Sequence, residues 1–167
     1  LHLHLEGAAP PDFIRALAAD KGADLSRIFD AAGAYAYRGF EGFLRTYEAA
    51  TSVLTEPEDY ARLTRTVCES LAEEGVIYAE TFLSPDFCGG GDVAAWRDYL
   101  AAIAEAAAAV EAQGGPILKG VVTCIRHFGP ERARAAARCA AETAGDMVVG
   151  FGMRSEEHTS ELQSLLI

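Results

Sequence analysis

The chain has 167 residues, 50% of them hydrophobic, and a formal net charge of −11. That is enough apolar material for one ordinary core, which excludes a disordered chain, and no cluster of lysines or arginines in the sequence invites a nucleic acid. No stretch reaches the ~18 uninterrupted apolar residues of a membrane span, because even the alanine-rich run from Ala101 to Ala112 is broken by Glu105 and Glu111.

Leu1 to Leu5 alternates apolar residues with histidine, the period-two pattern of a strand, and Gly7 breaks it. Pro10 and Pro11 then open a helix to about Gly22, with Phe13, Ile14, Leu17 and Ala18 on one stripe. A short helix is expected around Leu25 to Ala31. Phe40, Phe43, Leu44, Tyr47 and Ala50 recur at three- and four-residue steps, which predicts a helix whose aromatic side faces something apolar. Thr55-Glu56-Pro57-Glu58 offers an N-cap, a first-turn proline and acid beside the helix dipole, opening a helix through Tyr60, Leu63, Val67 and Leu71 that stops before Gly75.

Val76 to Leu83 reads as a buried strand holding one carboxylate, Glu80, and ends at Ser84-Pro85. A flexible loop from Cys88 to Asp92 leads into a long helix, Val93 to Gln113, closed by Gly114-Gly115. Ile117 to Ile125 is a third strand. Gly129-Pro130-Glu131 opens a helix to about Ala144, and Met147 to Gly152 is a fourth strand. The rhythm is βα repeated, with helices inserted after the first strand. It predicts an α/β chain with a parallel sheet, either open or closed into a barrel. Cys68, Cys88, Cys124 and Cys139 show no CxxC spacing, so reduced, packed thiols of a cytoplasmic protein are expected.

On a strand, His2, His4 and Glu6 share one face. Two neutral imidazoles there suit zinc, which in catalytic sites keeps a coordination position open. The pair alone is weak evidence. Glu6 on the same face, Gly7 beside it and the end of a first strand strengthen it, because parallel barrels place their sites at strand C-termini. His127, at the end of the third strand, reads either as a hydrogen-bonded rim residue or as part of a site, the former favoured because no ligand-type residue stands two positions away. Glu80 reads either as an active-site base or, preferably, as a structural acid with a partner such as Arg126.

Four motifs in order carry a family resemblance: His2-Leu3-His4-Leu5-Glu6-Gly7; Val76-Ile77-Tyr78-Ala79-Glu80 running into Ser84-Pro85; Ile125-Arg126-His127-Phe128-Gly129-Pro130-Glu131; and Val148-Val149-Gly150-Phe151-Gly152-Met153. Together they resemble the adenosine deaminase family of metal-dependent hydrolases. The resemblance implies a (β/α)8 TIM barrel, of which about the first four strands and their helices are present. It implies Zn2+ as cofactor and adenosine, a purine nucleoside, as substrate. Zinc-activated water would replace the 6-amino group with oxygen, giving inosine and ammonia. His2 and His4 would be the first two zinc ligands; His4 would also lie against the substrate, and Glu6 would hold its ribose. The helix of Phe40, Phe43 and Tyr47 resembles the apolar flap over the nucleoside, and core packing explains the same stripe. Alternatives are an adenine or other purine deaminase of the same family, or a non-functional truncated translation product.

Departures from the family pattern follow Met153. Arg154 and Ser155 stand where a glycine-rich turn and Asp-Glu are expected, and no later zinc histidine, proton-donating glutamate, water-orienting histidine or zinc aspartate is in the chain. Residues Arg154 to Ser164 read, residue for residue, as the in-frame translation of a common sequencing-library adapter. The expected organisation is therefore residues 1–153 as the N-terminal half of a barrel and 154–167 as a non-native tail. No catalytic residue is expected within the chain, and a half barrel with open edges should be inactive and self-associating.

Overall fold

The computed structural model describes residues 2–154, without the side chains of His2, His127 and Arg154. Leu1 and residues 155–167, which hold most of the expected tail, lie outside them. The elements in chain order are β1 (His2–His4), α1 (Pro11–Asp20), α2 (Gly39–Thr51), α3 (Pro57–Glu73), β2 (Tyr78–Leu83), α4 (Val93–Glu111), β3 (Ile117–Ile125), α5 (Pro130–Thr143) and β4 (Val148–Arg154). Short 3-10 turns at Glu6–Ala8, Ser26–Ile28 and Arg126–Phe128 follow β1, precede α2 and follow β3. The helix expected around Leu25 to Ala31 is thus a single 3-10 turn.

Local chemistry explains most helix ends. Pro11 opens α1 at its first position, where the missing N–H costs nothing. For α3 the cap is Glu56 rather than Thr55. The Glu56 carboxylate accepts from the backbone N–H of Asp59, and Asp59 Oδ2 accepts from the Thr55 and Glu56 N–H groups at 2.9 and 3.0 Å. Asp92 caps α4 by accepting from Ala95 N at 2.9 Å.

The four strands are all parallel and pair in sequential order, β1-β2-β3-β4. Successive parallel pairing through helices is the βα architecture expected, and the helices pack against one sheet face. Ala79 and Leu83 of β2, Leu118 and Val122 of β3 and Val148 of β4 point into that core, against Leu63 and Val67 of α3 and Trp96 and Ile103 of α4. Trp96 is fully buried and donates to Thr143 Oγ1 at 3.0 Å, tying α4 to α5. At Gly120 an added Cβ would stand 2.8 Å from Leu83 Cδ1, so a larger residue there would oblige the buried Leu83 side chain to shift.

The other sheet face is open. Tyr78 and Ile117 are exposed, as is Glu80, so the strand expected to be wholly buried is buried on one side alone. Apolar runs in parallel strands report two covered faces only when something lies on both, and among the described residues no element covers the second. At the β4 edge, Val149, Phe151 and Met153 are about half exposed or more. No helix among the described residues is long and apolar enough to cross a membrane. All four cysteines are free and buried, and burial pushes the Cys68 thiol up to about 11.

Candidate active site

β1 contributes three residues to the sheet, with His2 opposite Glu80, Leu3 opposite Thr81 and His4 opposite Phe82. His2 and His4 therefore occupy positions on the helix-free face, because Leu3 between them packs toward the core. The half-buried His4 ring stacks on Phe82, centroids 4.9 Å apart and planes 25° from parallel. This contact fixes the imidazole at the C-terminal end of the strand.

Glu6 departs from its expected place. The strand ends at His4 and the chain turns into the Glu6–Ala8 3-10 turn, so period-two alternation stops before Glu6. Its side chain is directed into the protein, 5% exposed. Tyr60 of α3 donates its hydroxyl to Glu6 Oε1 at 3.1 Å, and Tyr47 of α2 donates to Oε2 at 3.5 Å. A buried carboxylate is tolerable only with such donors. Burial pushes the Tyr60 phenol well above its usual range, and the Glu6 charge adds to the rise, so Tyr60 stays protonated. The fully buried Cys88 thiol beside it is raised by burial first and by Glu6 second. Gly7 lies 3.4 Å, by its would-be Cβ, from the Tyr47 ring, which is ordinary contact.

The aromatic stripe of α2 divides between the two roles weighed for it. Tyr47 is buried in the Glu6 cluster, whereas Phe40 is 41% exposed. Phe43 bridges them, at 6.3 Å from Phe40 and 6.2 Å from Tyr47. Phe43 and Tyr47, with Tyr35, Tyr37 and Thr46, line a cleft of ≈ 50 Å³ over Glu6 and Gly7.

Glu80 is exposed and accepts from the Tyr78 hydroxyl at 2.8 Å, a tyrosine on its own strand rather than the expected Arg126. His127 sits in the 3-10 turn after β3, one strand beyond β2 in the sheet order. At the C-terminal ends of β2 and β3, Ser84 Oγ and Thr123 Oγ1 are buried without a hydrogen-bond partner among the described residues, leaving two polar groups with unused capacity. Sequence reasoning missed Tyr60, Cys88, Ser84 and Thr123. Tyr60 falls on the apolar stripe of α3, where periodicity reads it as core, and its hydroxyl chemistry leaves no local signature.

The histidine pair fits zinc in kind, since both donors are imidazoles at one strand end. It falls short in number: among the described residues no group of three or more His, Cys, Asp or Glu forms a metal centre.

The sequence matches the family model described as adenosine deaminase over residues 1–165. It is 41% identical over 157 residues to a protein named adenine deaminase from Chelativorans sp. (strain BNC1), covering 94% of this chain and 48% of that protein. A protein of the same name from Agrobacterium fabrum is 41% identical over 158 residues, with the same coverage. Among solved structures, adenine deaminase from Arthrobacter aurescens superimposes with a TM-score of 0.76 at 26% identity, covering 95% of this chain and 49% of that one. A zinc-bound amidohydrolase from Burkholderia ambifaria gives 0.76 at 29% identity, covering 97% and 45%. The chain spans about half the length of the curated relatives it matches.

Proposed function

Because this chain belongs to the adenosine deaminase family, we propose that it is the histidine-bearing portion of a hydrolytic purine deaminase acting on adenine. The reaction is adenine plus water giving hypoxanthine plus ammonia. Its four parallel strands are part of a TIM-type barrel, and the helix-free face that carries His2 and His4 is the inside of that barrel.

The observation that carries the choice of a free base is the setting of Glu6. A ribose-holding acid needs an oxygen open to the sugar, and this carboxylate is 5% exposed with tyrosine hydroxyls on both oxygens. The names of the relatives at 41% identity support the same reading. Adenosine, the substrate implied by the resemblance, finds less support in this geometry.

His2 and His4 would hold zinc, which supplies Lewis-acid chemistry at an open coordination position. The protein's own contributions are positional. Phe82 holds the His4 ring by stacking, and the turn at Glu6–Ala8 closes the end of β1 through the Tyr60 and Tyr47 hydrogen bonds. Among the described residues no group of three or more potential ligands forms a metal centre, so the 167-residue chain by itself is expected to show no turnover.

The test is a chimera in which residues 1–153 replace the matching segment of the Chelativorans protein. Ammonia release from adenine exceeding that from adenosine is expected, and preference for adenosine overturns the substrate reading. The chain alone, with zinc added, should release no ammonia from either; turnover that disappears in His4→Ala would overturn the incomplete-site reading.

A further inference from the structure

Three arginines from the stretch between the Ser26–Ile28 turn and α2 converge on one side of the molecule. Arg27 from the Ser26–Ile28 turn, Arg38 at the N-cap of α2 and Arg45 nearly two turns into α2 line an open groove of ≈ 820 Å³. The chain carries a net charge of −11, so its general field repels anions and makes a local cationic groove a selective feature rather than a background one.

The groove is built on ordered walls. One wall is a small hairpin: Asp30 N donates to Ala34 O at 2.9 Å, Phe29 bridges Tyr35, and Ala36 N donates to Ile28 O at 2.8 Å. The other wall is α2, fastened to that hairpin by Thr46 Oγ1 donating to Ala36 O at 3.1 Å. Tyr35 is pinned by donating to Ala9 O at 2.9 Å.

The charges within reach of the groove favour an anion. The Asp30 Oδ1 atom is occupied by the N–H groups of Ala32 and Ala34, at 2.8 and 3.0 Å. Glu41 meets Arg45 at 3.7 Å, but both are largely exposed and such a pair is weak. Arg38 caps α2 without any side-chain hydrogen bond, so the first-turn N–H groups of this 13-residue helix receive no side-chain acceptor from their cap and add positive potential at the same place. Arginine forks combined with backbone N–H groups are the chemistry that recognises phosphate. Tyr35, Tyr37 and Thr46 line both this groove and the Glu6 cleft, so the two are adjacent and share a wall.

We propose that the groove formed by Arg27, Arg38 and Arg45 binds the phosphate groups of a small phosphorylated ligand beside the Glu6 cleft. The proposal stands apart from the choice of substrate, since it needs only the groove.

The experiment is calorimetric titration of the 167-residue chain with inorganic pyrophosphate and with AMP at low ionic strength. One saturable site is expected for each, with the two competing. A charge-assisted hydrogen bond is worth about 1.5–3 kcal/mol, so Arg38→Ala should weaken binding roughly tenfold or more, and the triple change Arg27→Ala, Arg38→Ala, Arg45→Ala should abolish it. Glu41→Gln should tighten it by releasing Arg45. The exposed Arg62 and Arg65 border a different groove beside Glu58, so Arg62→Ala with Arg65→Ala should change nothing. All of these positions are exposed, and an unchanged far-ultraviolet dichroism spectrum confirms that each variant keeps the fold. Absence of saturable binding, or equal losses in the Arg62 and Arg65 control, overturns the proposal.

Discussion

The Tyr60 hydroxyl, 54 residues away along the chain, donates to Glu6 Oε1 across 3.1 Å in a buried setting. Tyr60 is fully buried and its ring packs edge-on against Tyr99, centroids 5.3 Å apart, while Tyr99 donates to Thr55 O at 2.6 Å. The end of the first strand is thus tied to the start of α3 and to α4 by two phenols rather than by backbone pairing.

Removing one donor from a buried carboxylate leaves part of its desolvation uncompensated. Tyr60→Phe should cost about 1–3 kcal/mol in denaturant unfolding. Combining it with Glu6→Gln should recover part of that loss, because a neutral amide needs the donor less. A cycle in which the two losses simply add would show that the pair is not coupled.

Burial pushes the Tyr35 phenol up to about 12, against 10 in the unfolded chain. The folded state therefore keeps a proton that the unfolded state releases, so this contribution to stability is whole below pH 10 and is lost as pH rises from 10 toward 12. Alkaline unfolding followed by dichroism should begin above pH 10. Tyr35→Phe should flatten that part of the profile; a profile identical to that of the parent chain would count against the assignment.

Asp86, in the loop after β2, has a 1%-exposed side chain that meets Arg132 Nε of α5 at 2.8 Å. Burial raises its carboxyl above the usual value and Arg132 pulls it back down, with burial winning. Folding thus takes up a proton here: the stabilising contribution is full below the unfolded value of 3.8 and is lost as pH rises through the raised folded value. Arg132→Ala should cost about 1–3 kcal/mol near neutral pH, less than a fully buried pair because the arginine is half exposed. The deficit should shrink on acidification, as the stranded carboxylate protonates; a deficit constant between acidic and neutral pH would argue against the pair.

Gly120→Ala should destabilise the chain by about 1–3 kcal/mol, since its Cβ would press on Leu83 Cδ1 at 2.8 Å in a packed layer. Gly150→Ala, whose Cβ would come no closer than 3.4 Å to Val121, should cost less. Equal midpoints in thermal melts would mean that Leu83 has room to turn away.

The β4 edge bears exposed Val149, Phe151 and Met153, and exposed apolar edges pair or aggregate. Concentration-dependent self-association is expected in light scattering. Phe151→Lys with Met153→Lys should lower it, and a chain that is monomeric at all concentrations would rule it out.

The order of elements was legible in the sequence because nearest neighbours along the chain decide it. Strand and helix order follows from hydrophobic period, from Pro11, Pro57 and Pro130 at helix starts and from Gly75 beyond a helix end, all readable within a few residues. The histidine pair was legible for the same reason: alternation on one short strand puts positions 2 and 4 on one face. The tertiary structure alone decided that Glu6 turns inward to Tyr47 and Tyr60, because the strand stops at His4 and its partners come from helices 41 and 54 residues away. It also decided that Glu80 stands in the open, and that Arg27, Arg38 and Arg45, unclustered in the sequence, share one groove. Such juxtapositions depend on how a hairpin and a helix are packed against each other, and local propensity and period carry no information about that packing.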